Sequence, residues 1–473
     1  MSAVDVAKGK NFDTQAPLLI VGSGAAGLCA ALAAKEAGVD AIVIERDAVP
    51  SGSTALSAGL IPAAGTRFQR AKGIDDSPRL FASDIQRKAK GKNDGEVVEA
   101  VARGATSLVE WLADRYRFPF DVVDNFNYPG HSAMRMHGLP TRTGRELIDR
   151  LRAAAEKNEI TILTESRVEQ LFADADGRIL GVELVRNDGS SDKVACECLI
   201  LACNGYGGNP DLVRELIPEM AGALYFGHPG NQGDAVRWGR ELGAELVHLG
   251  AYQGHGSVAT PHNILITWAV IMRGGIQVNT QGCRFCDESR GYSEQAAEVL
   301  RQPGGVAWDV FDNRIAAVAR QFEDFRAAEQ SGAVFSADRI EQLAVLMRVP
   351  ADTFKAEWDE VEDLKAKGAQ DRFGRKFTPE QKCAAPFHSV KVTGALFHTQ
   401  GGLTINPAAR VKREAGTLFP NLFAAGGAAA GISGPTAAGY LSGNGLLTAT
   451  VLGRAAGQAA SAQITKRKMS LLV

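Results

Sequence analysis

The chain has 473 residues, with 52 Lys plus Arg against 54 Asp plus Glu, a formal charge of −2, and 45 % hydrophobic and 22 % charged side chains. This balance excludes a disordered chain, a collagen-like repeat and a polybasic nucleic-acid binder. No stretch approaches the roughly 18 apolar residues of a membrane span. The first residues lack the apolar centre of a secretory signal, and seven cysteines are odd in number and sparse, so a cytoplasmic location without a disulfide scaffold is expected. Length suggests about three structural units. The 52 glycines, well above a usual share of about 7 %, suggest many tight turns or close approaches of backbone to a ligand.

Residues 16–47 carry the strongest local pattern. An apolar strand over 18–21 runs into Gly22-Ser23-Gly24-Ala25-Ala26-Gly27, an Ala/Leu-rich helix over 28–37 ends near Gly38, and a second strand over 41–44 ends at Glu45. In such a βαβ unit Gly22 permits the tight turn, Gly24 lets backbone approach a pyrophosphate, and Gly27 lets helix and strand pack closely. The helix N-terminus at Ala25 and Ala26 offers free N–H groups and a positive dipole end to the phosphates. Glu45, 18 residues after Gly27 and followed by Arg46, suits ribose hydroxyls. This motif alone does not separate FAD from NAD.

The rest of the chain favours FAD. Residues 51–59, SGSTALSAG, suit a second loop against phosphate and flavin, with Ser53, Thr54, Ser57 and Gly59 as contacts. A strand over 199–203 ends in Asn204-Gly205, and another over 418–425 ends in Gly426-Gly427. The small-residue stretch 428–445 lets backbone lie against a flat ring, and a closing helix begins at Leu446. Val168 and Asp234 complete the expected cofactor contacts. The cofactor domain is thus expected to draw on both ends of the chain. Between them, helices are expected over 75–90, 95–112 and 145–155. Strands over 161–171, 179–186 and 190–201, joined by Asp-Gly turns, form a meander. Residues 313–370 read as mostly helical and charged.

These pieces, with the stretches GNQGDAVRWGRELGAEL, GGIQVNTQGCRFCDES, HTQGGLTIN and LFAAGG, resemble the soluble branch of the fumarate reductase/succinate dehydrogenase flavoprotein superfamily. That superfamily also holds 3-ketosteroid and cyclic-ketone dehydrogenases. The resemblance implies an α/β architecture with a Rossmann-like FAD-binding domain split over 1–249 and 398–473 and a capping domain inserted at 250–397. It implies an FAD-dependent oxidoreductase whose flavin exchanges hydride with a substrate C–C bond where the two domains meet. Relatives with covalent flavin carry a His where Ser53 stands, so non-covalent FAD is implied. Relatives also carry a Glu where Gly427 stands.

Carried over position by position, the family's substrate histidines fall on His255 and His398, and its Thr-Glu pair on Thr267 and Trp268. Its relay, proton-donating and carboxylate-clamping arginines fall on Ile271, Tyr292 and Tyr440. A buried carboxylate without such partners is costly, so fumarate and succinate are disfavoured. The segment RFCDESRGY, residues 284–292, resembles the R-F-x-N-E-x-x-P-Y of ketosteroid dehydrogenases, with Gly291 in place of Pro. There the tyrosine removes the proton next to a ketone. Tyr440, with an N–H from Gly443 or Asn444, would hold the ketone oxygen, and Trp268 would form an apolar wall.

The expected reaction is α,β-desaturation of a cyclic ketone of the cyclohexanone, 4-oxocyclohexanecarboxylate or 3-ketosteroid type. The alternatives are a fumarate-reductase-like reductase of an unsaturated carboxylic acid using His255 and His398, or a flavin-bearing electron-transfer subunit. Arg135, Arg142 or Arg145 could reach a substrate carboxylate, or serve the surface or a phosphate. Cys283 and Cys286 read as a coincidental C-x-x-C. No metal site and no haem motif are visible, so an external electron acceptor, dioxygen, a quinone or a carrier protein, is expected.

Overall fold

The structure, a computed structural model, describes residues 3–6 and 11–470. Two sheets organise it. The first has nine strands. At its centre Thr14–Val21 pairs in parallel with Ala41–Ile44 on one side and Ser191–Leu201 on the other. These strands are near-continuous apolar runs because helices cover the parallel core of the sheet. Leu18, Leu19 and Ile20 are fully buried. The meander is Ser166–Ala173, Ile179–Arg186 and Ser191–Leu201, each antiparallel to the next. The expected strand over 161–171 is instead two, Thr161–Leu163 and Ser166–Ala173, separated by Glu165 with φ of +53°.

Leu418–Ala424 joins the same sheet parallel to Ser191–Leu201. The last helix, Asn444–Ser470, lies along the first, Ala25–Glu36. Glycine makes that contact possible. A Cβ on Gly453 would stand 2.3 Å from the Ala26 carbonyl, and one on Gly457 would stand 2.2 Å from that of Ala30. Two ends of the chain are therefore one packed layer.

The second sheet has seven strands built on Phe387–Thr399, which pairs with Tyr252–Ala259, Val306–Asp312, Leu224–Tyr225 and Val334–Ala337. Phe387–Thr399 runs through the expected domain boundary at 397, and Leu224–Tyr225 reaches this sheet from before residue 250. Helices Asn313–Ala319, Glu323–Gln330, Ile340–Met347 and Ala351–Lys367 cover it, with Val334–Ala337 a strand inside a segment expected to be mostly helical. Among the described residues no helix is long and apolar enough to cross a membrane.

Candidate active site

One cavity runs between the two sheets, and its lining residues form two chemically different ends. At one end the turn 22–26 opens the first helix. Gly22 has φ of +103°, and a Cβ on Gly27 would lie 1.9 Å from the Gly22 carbonyl, so only glycine permits this turn and this packing. Gly24 provides no side-chain cap and the first turn holds no acid; the Thr54 hydroxyl accepts from the Ala25 amide (3.0 Å). A Cβ on Gly24 would touch nothing nearer than Thr54 Oγ1 at 3.5 Å. The remaining first-turn amides and the positive dipole end are a fitting cradle for a pyrophosphate. Beside it Glu45 is held by the Ser23 amide (3.0 Å) and the Asp47 amide (3.0 Å), ready for ribose hydroxyls, and Arg46 pairs with Asp234 at 2.9 Å. These residues fit FAD.

Of the expected cofactor contacts, Gly22, Gly24, Ala25, Ala26, Glu45, Arg46, Ser53, Thr54, Ser57, Val168, Asn204, Asp234, Gly426, Gly427 and Leu446 line this cavity. Gly27, Gly59 and Gly205 do not. They serve backbone packing, since a Cβ would strike the Gly22 carbonyl, the Thr143 carbonyl (2.3 Å) and Thr399 Oγ1 (1.9 Å) respectively. The Ser53 hydroxyl accepts from the His228 amide (3.1 Å) and Asn231 Nδ2 (2.9 Å), which ties this loop to the segment before the cap.

The other end is aromatic. Helix Tyr292–Leu300 lies across strand Tyr252–Ala259, and Gly254 and Gly256 make room for it. Cβ atoms there would come within 2.6 Å of Ala296 Cβ and 2.7 Å of Gln295 Cγ. His255, between those glycines, therefore stacks on Tyr292, with ring centroids 4.7 Å apart and 21° between planes. Trp268 meets both rings edge-on, at 5.5 Å from His255 and 6.1 Å from Tyr292. Tyr440 stands 6.0 Å from Tyr292 and 5.8 Å from His398. Gly291, directly before Tyr292, has φ of +152°, which a proline ring cannot adopt. That explains Gly where the ketosteroid pattern has Pro.

The RFCDE segment anchors Tyr292 from behind. Arg284 donates to both Glu288 oxygens (2.9 and 2.7 Å) and to Asp371 (2.6 Å), while Arg375 donates to Glu288 (3.0 Å). The two guanidinium groups outweigh burial and hold the Glu288 carboxyl down to about 2.

Both tyrosine hydroxyls are buried. Burial pushes Tyr292 up to about 12, but its oxygen is faced by three donors, the Ser442 hydroxyl, the Tyr440 hydroxyl and the Gly443 N–H. Tyr440 is pushed well above the ordinary phenol value, by burial first and then by Tyr292. The two phenols therefore titrate as a pair. Ser442 escaped the sequence reading; its place two residues after Tyr440 was the available signal.

Two histidines are neutral donors. Burial depresses His255 to about 3 and His398 to about 4. The Ser257 amide donates to His255 Nδ1 (3.1 Å), which puts the proton on Nε2. For His398 a directed chain acts in the same sense. Asn444 Nδ2 donates to Ser433 (3.0 Å), Ser433 donates to Gln400 Oε1 (2.7 Å), and Gln400 Nε2 lies 3.0 Å from His398 Nδ1. The shorter contact, from Gln400, favours the proton on Nε2, while the Thr399 carbonyl, 3.3 Å from Nδ1, competes for it.

Asn444 does not line the cavity, its backbone N–H donates to the Leu441 carbonyl (3.0 Å) and its side chain braces Ser433, so of the two expected N–H donors only Gly443 stands in the cavity wall. Thr267 lines the cavity and its hydroxyl faces Tyr128, whose phenol is pushed up by burial first and then by Tyr292. Trp268 lines the cavity too, but its buried indole N–H has no partner among the described residues, so it is more than an apolar wall. Arg135 is buried between Asp76 and Asp84, Arg142 reaches Gln321, and Arg145 is exposed; none lines the cavity. Cys283 and Cys286 are free thiols.

With the geometry in view, the comparisons are specific. A family described as an FAD binding domain matches residues 18–446. The chain is 30 % identical to a probable fumarate reductase of Shewanella frigidimarina over 96 % of its own length and 76 % of that protein. It is similar to the structure of a flavocytochrome c3 fumarate reductase in its open conformation, with a TM-score of 0.80, 28 % identity, and 96 % and 79 % of the two chains covered. It is also similar to the 3-ketosteroid-Δ4-(5α)-dehydrogenase of Rhodococcus jostii RHA1 in complex with 4-androstene-3,17-dione. There the TM-score is 0.75 at 25 % identity, covering 95 % of this chain and 98 % of that one. The α/β architecture of that fold is the one observed, and the chain belongs to the FAD-binding-domain family of fumarate reductase-type flavoproteins, as an FAD-dependent oxidoreductase acting on CH–CH groups.

Proposed function

We propose that the protein desaturates a cyclic ketone at its α and β carbons. The observation that carries this reading is the pair of tyrosines facing each other at the aromatic end, ring centroids 6.0 Å apart, with the Ser442 hydroxyl and the Gly443 N–H beside the Tyr292 oxygen. A ketone oxygen needs donors as charge develops on it, and its α-carbon needs a base. Tyr440 and the Gly443 N–H supply the donors. Tyr292, assisted by Ser442, takes the α-proton. Bound FAD supplies the hydride acceptor for the β-carbon. An external acceptor, dioxygen, a quinone or a carrier protein, then takes the electrons.

Charge supports a neutral substrate. The only cationic side chains lining the cavity among the described residues are Arg46 and Arg167, both flanking the dinucleotide end. Arg46 is paired with Asp234, and Arg167 with Glu169. A dicarboxylate would find no cation at the aromatic end, where both histidines are neutral.

The test is anaerobic loss of oxidised-flavin absorbance in the FAD-loaded enzyme with cyclohexanones, 3-ketosteroids and succinate. A ketone should bleach the flavin and succinate should not. Tyr292→Phe should slow bleaching by about 10²- to 10⁴-fold, the usual worth of a general base. Bleaching by succinate alone, or an undiminished Tyr292→Phe, overturns the reading.

A further inference from the structure

Four carboxylates line the cavity, Glu45, Asp47, Asp234 and Asp324. The first three belong to the dinucleotide end and are engaged. Glu45 is held by the amides of Ser23 and Asp47, Asp47 pairs with His228 Nε2 at 2.7 Å, and Asp234 with Arg46. Asp324 is different. It lies in the first turn of Glu323–Gln330, the cap helix that packs on Ile264–Leu265. Its neighbours in the cavity wall are apolar, the Phe322 ring and Leu265. Among the described residues no cation pairs with it, and no hydrogen bond to its carboxylate is made. Burial, reinforced by Glu323, lifts it to about 6, so at neutral pH it remains mostly an anion, half-buried in the cavity wall and without a partner.

We propose that Asp324 is a specificity residue of the substrate cavity, which rejects ring ketones bearing a carboxylate and favours neutral ones carrying a hydroxyl, or a similar hydrogen-bond donor, at the end remote from the ketone. This rests on the cyclic-ketone reading and narrows it, since 4-oxocyclohexanecarboxylate becomes a poor substrate. A carboxylate entering the cavity brings a second anion to a wall that, among the described residues, no cationic side chain lines, Arg142 standing 5.7 Å from the Phe322 ring centroid but outside the lining, and like charges in a partly desolvated site repel strongly. A hydroxyl in the same place donates to the carboxylate, and such charge-assisted hydrogen bonds are the strong ones. The Phe322 and Leu265 surfaces beside it hold the ring skeleton.

The test compares FAD-loaded wild type with Asp324→Asn, a near-isosteric change in the first turn of a helix. Matched ketones of two lengths, cyclohexanones and 3-ketosteroids, carry hydrogen, hydroxyl or carboxylate at the far end. In wild type, kcat/KM for the hydroxyl member of at least one length should exceed that of the carboxylate member. Asp324→Asn should shrink that ratio by about tenfold or more, mainly by raising the carboxylate member. An unchanged ratio at both lengths overturns the proposal. If no ketone bleaches the flavin, the desaturase reading fails on its own, and the same ratio is read from binding. Perturbation of the flavin spectrum by 4-hydroxybenzoate against 4-methylphenol then decides. A preference for the neutral phenol that Asp324→Asn abolishes supports Asp324, and one it leaves intact refutes it.

Discussion

Replacing Ser442 by Ala removes one hydroxyl and leaves the backbone carbonyl that accepts from His131 Nε2 (3.0 Å) in place. Ser442 is one of three donors facing the Tyr292 oxygen, the others being Tyr440 and the Gly443 N–H. With Tyr292 at about 12, about one molecule in ten thousand is the phenolate at pH 8. A hydrogen bond to a charged oxygen contributes about 1.5–3 kcal/mol, or about one to two pKa units. Ser442→Ala should therefore cut the phenolate fraction about 10- to 100-fold. The remaining phenolate is a stronger base, which offsets part of the loss, so the rate should fall about 5- to 50-fold. The assay is anaerobic stopped-flow reduction of the flavin by a ketone substrate across pH 7 to 9. Because the base ionises above that window, log rate should climb with pH in both proteins. The Ser442→Ala line should lie below the wild-type line by a constant interval. Equal rates, or a gap that closes as pH rises through this window, would refute the assignment of Tyr292 as base with Ser442 as its donor.

Gln400→Glu puts an acceptor where Gln400 now donates to His398 Nδ1; neutral His398 should move its proton to Nδ1 and its protonation should rise from about 4, both read by ¹⁵N-histidine NMR, and an unmoved tautomer would discredit the directed chain. Glu288→Gln leaves Arg284 and Arg375 short of charge and should cost about 3–5 kcal/mol in denaturant melts. The folded-state value of Glu288, about 2, is below the ordinary 4.5, so its contribution is complete above pH 4.5 and is lost as pH falls toward 2; the variant should lack that acid-side loss. Asp309 shows the opposite sign. Buried with Ser257 and Gln277 as its partners, it is lifted from 3.8 to about 7, so the folded state keeps a proton the unfolded state has released and stability falls as pH rises from 4 to 7. Asp309→Asn should abolish that fall, with a stability difference that grows across this window and levels off above pH 7.

Much of the cofactor end is legible in the sequence because its constraints are local. Gly22 and Gly27 stand where a turn and a helix–strand contact allow no side chain, and the helix that follows needs only its own backbone to present N–H groups. The aromatic end is legible as residue types and not as an arrangement. His255, Tyr292, His398 and Tyr440 come from segments far apart in the chain, and a motif says nothing about which ring stacks on which. Gly254 and Gly256 decide that by letting one helix lie across one strand.

Asn444 shows the limit of spacing. It sits beside Gly443 in sequence, yet the helix it begins turns its amide away from the cavity and into the hydrogen-bond chain behind His398. Ser442 and Asp324 show the same limit from the other side, as ordinary polar residues whose place depends on which cavity wall they join. What the sequence determined by itself was the βαβ cradle and the participation of both chain ends, properties of contiguous segments. Tertiary structure alone decided which tyrosines face each other, which donors surround the Tyr292 oxygen and which carboxylate is left without a partner. Those depend on desolvation and on donors supplied by other segments, and both exist only once the two sheets enclose the cavity.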